Sequence, residues 1–148
     1  MNKQLILEQT YTLVKDEKNI IANLSNISAF LNQTLPDINW VGFYLNENYE
    51  LVLGPFQGKV ACVRIPFEKG VCGTAASQKR TLRIADVHQF QGHIACDTDS
   101  RSEIVIPIIK NNDVYGVLDI DSPSYHRFQE SDQELLEAIV HVIEKYVI

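Results

Sequence analysis

Between Glu103 and Asp121 the chain reads EIVIPII, then KNND, then VYGVLDID. Two apolar, β-branched runs joined by a short polar turn form an antiparallel hairpin. This hairpin is the strongest constraint on the fold. A second hairpin is expected upstream, where NWVGFYL pairs with YELVLGPF across NEN. ACVRIPF reads as a further strand carrying Cys62, and TLRIADV as a short one. The period changes at both ends of the chain. Ile20, Leu24, Ile27 and Leu31 fall on one helical face that stops before Pro36, with a weaker helix before it around Lys3 to Lys15. GVCGTAASQKR reads as a short helix opened by Gly70. The last segment has a capping box of Ser131 and Glu134, then an apolar face of Leu135, Leu136, Ile139, Val140, Ile143 and Val147. Helices bracketing hairpin-connected strands imply an α+β domain: a central antiparallel sheet with the N- and C-terminal helices packed on one face. The opposite face and its loops are then free to form a site.

The 148 residues, 45% hydrophobic and 22% charged, suit one soluble globular domain spanning 1–148. A net charge of -6 argues against nucleic-acid and anionic-membrane partners. No apolar run is long enough to span a bilayer, and MNKQLILEQT lacks the features of a secretory signal. A cytoplasmic location is therefore expected, where the three cysteines would not form a structural disulfide framework.

Strand alternation places candidate site residues together. Val41, Phe43 and Leu45 share one face of NWVGFYL, and Trp40, Gly42 and Tyr44 share the other. Asp119 and Asp121 project together from the second strand of the main hairpin, roughly 7 Å apart. Glu103 opens its partner strand. Three carboxyl groups thus cluster at one end of the sheet, with Trp40 and Tyr44 as walls and Gly42 leaving room for a ligand. The plain alternatives are a solvated strand end and ordinary aromatic packing.

Cys62, Cys72 and Cys96 are the candidate nucleophiles. Cys62, in an apolar strand, also fits a small buried hydrophobe. Cys72 lies at a helix start, where the helix dipole lowers a thiol pKa. Cys96 lies in GHIACDTDSRSEIVI among acids, an unusual setting for a thiolate. A zinc site with His88 and His93 as added ligands is an alternative, but no CxxC or HxxxH pair supports it.

NWVGFYL, GPFQGKVACVRIPFEKGVCGTAA, DVHQFQGHIACD, SEIVIPI and GVLDIDSP, in this order and spacing, strongly resemble the free methionine-(R)-sulfoxide reductases, small stand-alone GAF-domain enzymes. The resemblance runs from Asn39 to about Asp132. It implies a GAF fold and reduction of free methionine-(R)-sulfoxide. By this resemblance Cys96 is the catalytic nucleophile, Cys62 the main resolving cysteine and Cys72 an auxiliary thiol. Trp40, Tyr44, Glu103, Asp119 and Asp121 are implied to bind substrate. A homodimer, a thioredoxin-like reductant and no metal or organic cofactor are also implied.

The carboxyl groups then have a chemical use. A sulfoxide sulfur is a weak electrophile until its oxygen is protonated, so a thiolate attacking it needs an acid beside it. Crowded carboxyl groups retain a proton to higher pH, and Asp121 is the expected donor. A second carboxylate pairs with the ammonium of a free amino acid. The resulting Cys96 sulfenic acid condenses with Cys62 to a disulfide, and a dithiol protein reduces it by exchange. The loop from His88 to Ser102 is the expected lid. The competing classes are a non-catalytic GAF module that senses a small molecule or redox state, and a structural domain with incidental cysteines.

Overall fold

The computed structural model describes residues 1–94 and 96–148. Its elements, in chain order, are α1 (Lys3–Val14), α2 (Ile20–Thr34), β1 (Trp40–Glu47), β2 (Glu50–Gly58), β3 (Arg64–Pro66), α3 (Gly70–Gln78), β4 (Leu82–Ile84), β5 (Ser102–Lys110), β6 (Asp113–Ser122) and α4 (Glu130–Tyr146). A single 3₁₀ turn, Val87–Gln89, follows β4. The six strands form one sheet in the order β3-β2-β1-β6-β5-β4, and every neighbouring pair is antiparallel. This is the expected α+β architecture, with β1, β6 and β5 at its centre.

Both tight hairpins turn on two residues with left-handed backbone: Asn48 and Tyr49 (φ 55° and 63°), and Asn111 and Asn112 (φ 54° and 65°). That geometry matches strand twist, and asparagine tolerates it better than most side chains. The strands accordingly extend further into NEN and KNND than the sequence suggested.

The two faces of the sheet bury different layers. Val41, Phe43, Ile104, Ile106, Leu118 and Ile120 pack against α2 and α4, whose Leu24, Ile27, Leu31, Leu136, Ile139 and Ile143 are buried in the same core. The expected apolar face of the last helix is thus present. Its cap differs, because the reciprocal hydrogen bonds run between Gln129 and Asp132 rather than Ser131 and Glu134. Helix α1 joins this layer beside α2 and α4. The opposite face, expected to be free for a site, carries a second core as well as the cavity described below. Val105 and Val117 pack there with Trp40, Tyr44 and the short helix α3, through Val71, Cys72, Ala75 and Ala76.

ACVRIPF is a strand only over Arg64–Pro66, so Cys62 lies in the segment leading into β3. Besides one backbone bond, from Leu53 N to Val63 O (2.8 Å), side chains hold that segment: Trp40 Nε1 donates to Lys59 O (3.1 Å) and Tyr44 Oη to Cys62 O (2.9 Å). Buried tryptophan and tyrosine need partners for their polar tips, and here this loop supplies them.

Gly42 does not open room for a ligand. A Cβ there would lie 2.3 Å from Phe56 Cβ and 2.9 Å from the Trp40 ring, so the space is already filled. Phe56 stacks on Trp40 (centroids 5.2 Å apart), which in turn stacks on Tyr44 (5.9 Å). Gly42→Val is expected to lower stability by about 1–3 kcal/mol through overpacking, read as a lower denaturation midpoint. An unchanged midpoint would show that β1 and β2 need not approach this closely.

Candidate active site

The site is assembled by strand register. Trp40 at the start of β1 pairs with Asp121 of β6, and Asp121 pairs with Glu103 of β5 on its other side. Two residues along β6, Asp119 sits between Gly42 and Val105. Alternation turns Glu103, Asp119 and Asp121 towards the face covered by α3. Glu103 and Asp119 are buried and Asp121 is half-buried. Helix α3 sets Cys72 against them, and its Sγ donates to Glu103 Oε2 at 3.9 Å. A disulfide joins Cys62 to Cys96 (Cα–Cα 5.4 Å), tying the segment before β3 to the loop before β5.

These groups line one cavity. Trp40 and Tyr44 form a wall, Cys72 and the three carboxyl groups the floor, and Cys96, Asp97 and Ser100 the cover. The candidate aromatics and acids line it together with Cys72 and Cys96, whereas Cys62 is outside the lining and reaches it only through its disulfide to Cys96. Ala95, part of the GHIACD motif, lies outside the described residues. Of the two histidines considered as zinc ligands, His93 lines the cavity, whereas His88 pairs with Asp86. The group with metal-ligand proximity is a different one: ligand atoms of Cys72, Glu103 and Asp119 lie within 4.8 Å of one another.

No lysine or arginine lines the cavity among the described residues. Burial therefore governs its protonation. Burial, then the charges of Asp119 and Asp121, push Glu103 well above the ordinary carboxylate range. Asp121 is pushed well up by burial and then Asp119. Asp119 rises through burial, against hydrogen bonds from Glu103 and Cys72 that hold it down. Burial, then Asp119 and Glu103, raise the Cys72 thiol well above its usual value. This reverses the expectation from its place at a helix start: loss of hydration and three acids outweigh the helix dipole.

Two features were not legible beforehand. Asn39 Nδ2 donates to Asp97 Oδ2 (3.0 Å) and Ser100 Oγ (3.1 Å), pinning the Cys96 loop to the start of β1. A lone asparagine before a strand carries no such signal. In addition, Asp119 Oδ1 is buried and has no hydrogen-bond partner among the described residues. An orphaned acceptor facing a cavity fits a donor carried by a ligand.

This arrangement can hold a cationic, hydrogen-bond-donating group at the carboxyl floor and place a cysteine sulfur above it. The floor thiol itself should be inert. In protein holding the Cys62–Cys96 disulfide, Cys72 should resist iodoacetamide at pH 8 and be alkylated only on unfolding, as followed by mass. Rapid labelling of the folded protein would contradict its burial among acids.

A GAF-domain family model matches residues 19–147. The chain is 54% identical over 133 residues to "Free methionine-R-sulfoxide reductase" of Escherichia coli (strain K12), covering 90% of this chain and 81% of that protein. It is 48% identical to the protein of the same name from Saccharomyces cerevisiae, covering 98% and 87%. Among solved structures, the reduced form of fRMsr of Staphylococcus aureus superposes with a TM-score of 0.96 at 59% identity, covering 99% of this chain and 96% of that one. The Neisseria meningitidis free methionine-R-sulfoxide reductase, in complex with its substrate, superposes at 0.95 with 42% identity, covering 97% and 87%.

Proposed function

The chain belongs to the GAF-domain family of free methionine-R-sulfoxide reductases, and on that premise we propose that it reduces free L-methionine-(R)-sulfoxide to L-methionine by thiol chemistry at this cavity. The observation that carries the reading is the meeting of a cysteine pair with three acids, Glu103 and Asp119 buried and Asp121 half-buried, beside an aromatic wall. A non-catalytic sensor of redox state would use the cysteine pair but gives no use to the acids beside it.

In this reading the ammonium of the substrate sits on the carboxyl floor and supplies the donor that Asp119 Oδ1 lacks. Trp40 and Tyr44 hold the methyl and sulfur end by apolar and sulfur–aromatic contact. Cys96 attacks the sulfoxide sulfur while an acid, Asp121, protonates the oxygen. Methionine leaves, and Cys96 keeps the oxygen as a sulfenic acid. The Cys62 thiol then displaces it as water and forms the disulfide. A thioredoxin-type dithiol supplies two electrons and two protons to restore both thiols. Cys72 is an auxiliary thiol, shielded in the floor. The loop from His88 to Ser102 opens and closes as a lid. The reading takes 1–148 as one domain, working as a cytoplasmic homodimer without metal or organic cofactor.

The test is single-turnover release of methionine from the fully reduced protein. Cys96→Ser should release none. Cys62→Ser should release about one methionine per chain and then recycle poorly, because the sulfenic acid has lost its partner. Loss of the first turnover in Cys72→Ser instead would move the nucleophile to α3 and overturn the assignment. Binding of the sulfoxide with no release in the unmodified protein would favour the sensor.

The acids give a second expectation. Asp121→Asn should slow the reduction step by roughly 10²–10⁴, the usual worth of a general acid. Glu103→Gln and Asp119→Asn should weaken substrate affinity more than they slow chemistry. The donor must hold its proton, so the rate is full below its pKa and falls as pH rises through it. Burial raises these groups, which moves that fall above the ordinary carboxylate range. Asp121→Asn should flatten the limb. Near-normal rates and an unchanged pH profile in all three variants would leave the cluster without a catalytic role.

A further inference from the structure

Most exposed apolar side chains of this chain are scattered, but three surround the disulfide. Val60 and Val63 flank Cys62 on either side and are 89% and 61% exposed. Ile94, two residues before Cys96, is 37% exposed. It rests on Gly70, where its side-chain carbons lie 3.2 Å from the position a Cβ would take. A valine at 89% exposure gives up nearly all the burial energy its side chain could contribute. Val60 and Ile94 also line the mouth of the cavity; Val63 does not, and folding does not account for its exposure beside the cysteine.

The two cations nearest the valines are already engaged. Lys59 pairs with Asp99, and Arg64 pairs with Glu50 at 2.8 Å. Neither is left as a free charge beside Val60 and Val63, so at these positions a partner meets chiefly apolar surface. The loop behind it is fixed from below, since Trp40 and Tyr44 grip Lys59 O and Cys62 O. Cys62 is therefore presented on a firm segment, while both disulfide sulfurs belong to half-buried residues. A small thiol can diffuse to such a sulfur. A protein thiol must bring its surface against the rim, and that surface has to be apolar.

We propose that Val60, Val63 and Ile94 form the docking surface for a protein dithiol reductant whose own cysteine pair lies in an apolar patch, and that its thiolate attacks Cys62. This names the partner-binding face for the recycling step of the function proposed above. The attack forms a mixed disulfide between the reductant and Cys62, and Cys96 departs as a thiolate that takes up a proton. The second cysteine of the reductant then attacks the mixed disulfide. Cys62 returns to the thiol, and the reductant carries away the disulfide. Two electrons and two protons pass to this chain, and no other reactant is required.

The experiment uses isolated protein with the Cys62–Cys96 disulfide formed and no sulfoxide present. Its reduction is timed by the appearance of free thiol, with thioredoxin as one reductant and dithiothreitol as the other. Both valines are exposed, so Val60→Ser with Val63→Ser should leave stability nearly unchanged. The double variant should be reduced about tenfold more slowly by thioredoxin, the loss expected from removing apolar anchors of an interface. Its reduction by dithiothreitol should match the unmodified protein. Val63→Asp alone should show the same selectivity. A thioredoxin lacking its second cysteine should be trapped on Cys62, as located by peptide mass. Equal slowing with both reductants, no slowing with thioredoxin, or trapping on Cys96 would overturn the proposal. Because no sulfoxide enters this assay, its result stands apart from the functional reading. Failure to turn over sulfoxide with dithiothreitol would count against that reading alone.

Discussion

Three carboxyl groups, two buried and one half-buried, surround one thiol with no lysine or arginine lining their cavity among the described residues, and much of the structure serves to hold them there. Left ionised, they would repel one another in a poorly hydrated space, so they keep protons to unusually high pH. A chain does not reach that state by local preference. It requires the β1–β6–β5 register, which sets Asp121 opposite both Trp40 and Glu103. A slip of one residue would turn the acids into the apolar layer beneath α2 and α4. The dense packing of Val41, Phe43, Ile104, Leu118 and Ile120 on that side is what fixes the register. The core on one face thus places the chemistry on the other.

Much of this was readable from the sequence. Alternation alone put Asp119 and Asp121 on one face and Trp40 with Tyr44 on the matching face, because period-two patterning is a property of the strand itself. The last helix was equally plain, since its apolar stripe is set by spacing. What failed did so where a distant contact decides. Cys72 looked activated because the helix start is local, whereas the acids facing it come from strands about 30 to 50 residues away. Gly42 looked like an opening because no sequence pattern says that Phe56 will cross the strand above it. Cys62 looked like a strand residue because its apolar neighbours imitate one, and two side-chain hydrogen bonds hold it elsewhere. The chemical roles given to the cysteines came from resemblance to a family, not from any of these patterns.

The aromatic pair does more than line a wall. Trp40 and Tyr44 line the cavity and turn their polar tips to the segment carrying Cys62. The same two side chains therefore set the shape of the pocket and the position of one partner in the disulfide. Asn39 does the corresponding work for the other partner, through Asp97 and Ser100. Both cysteines are thus anchored on the start of β1, although 34 residues separate them in the chain. Little conformational search is left when the two sulfurs must meet, which is how a loop-borne pair can act as one unit.

The disulfide state also explains why the acids can remain uncompensated. With Cys62 and Cys96 joined, the cavity over the carboxyl floor is small, about 40 Å³. In this closed form the floor has no cation to meet, and protonation is the inexpensive way to bury it. On the proposed reading, opening the disulfide would release the Cys96 loop from the Cys62 segment, and a substrate ammonium would then bring the charge that favours ionised acids. Burial raises the pKa values of this cluster and a bound cation would lower them, so the two act on the same groups in opposite directions.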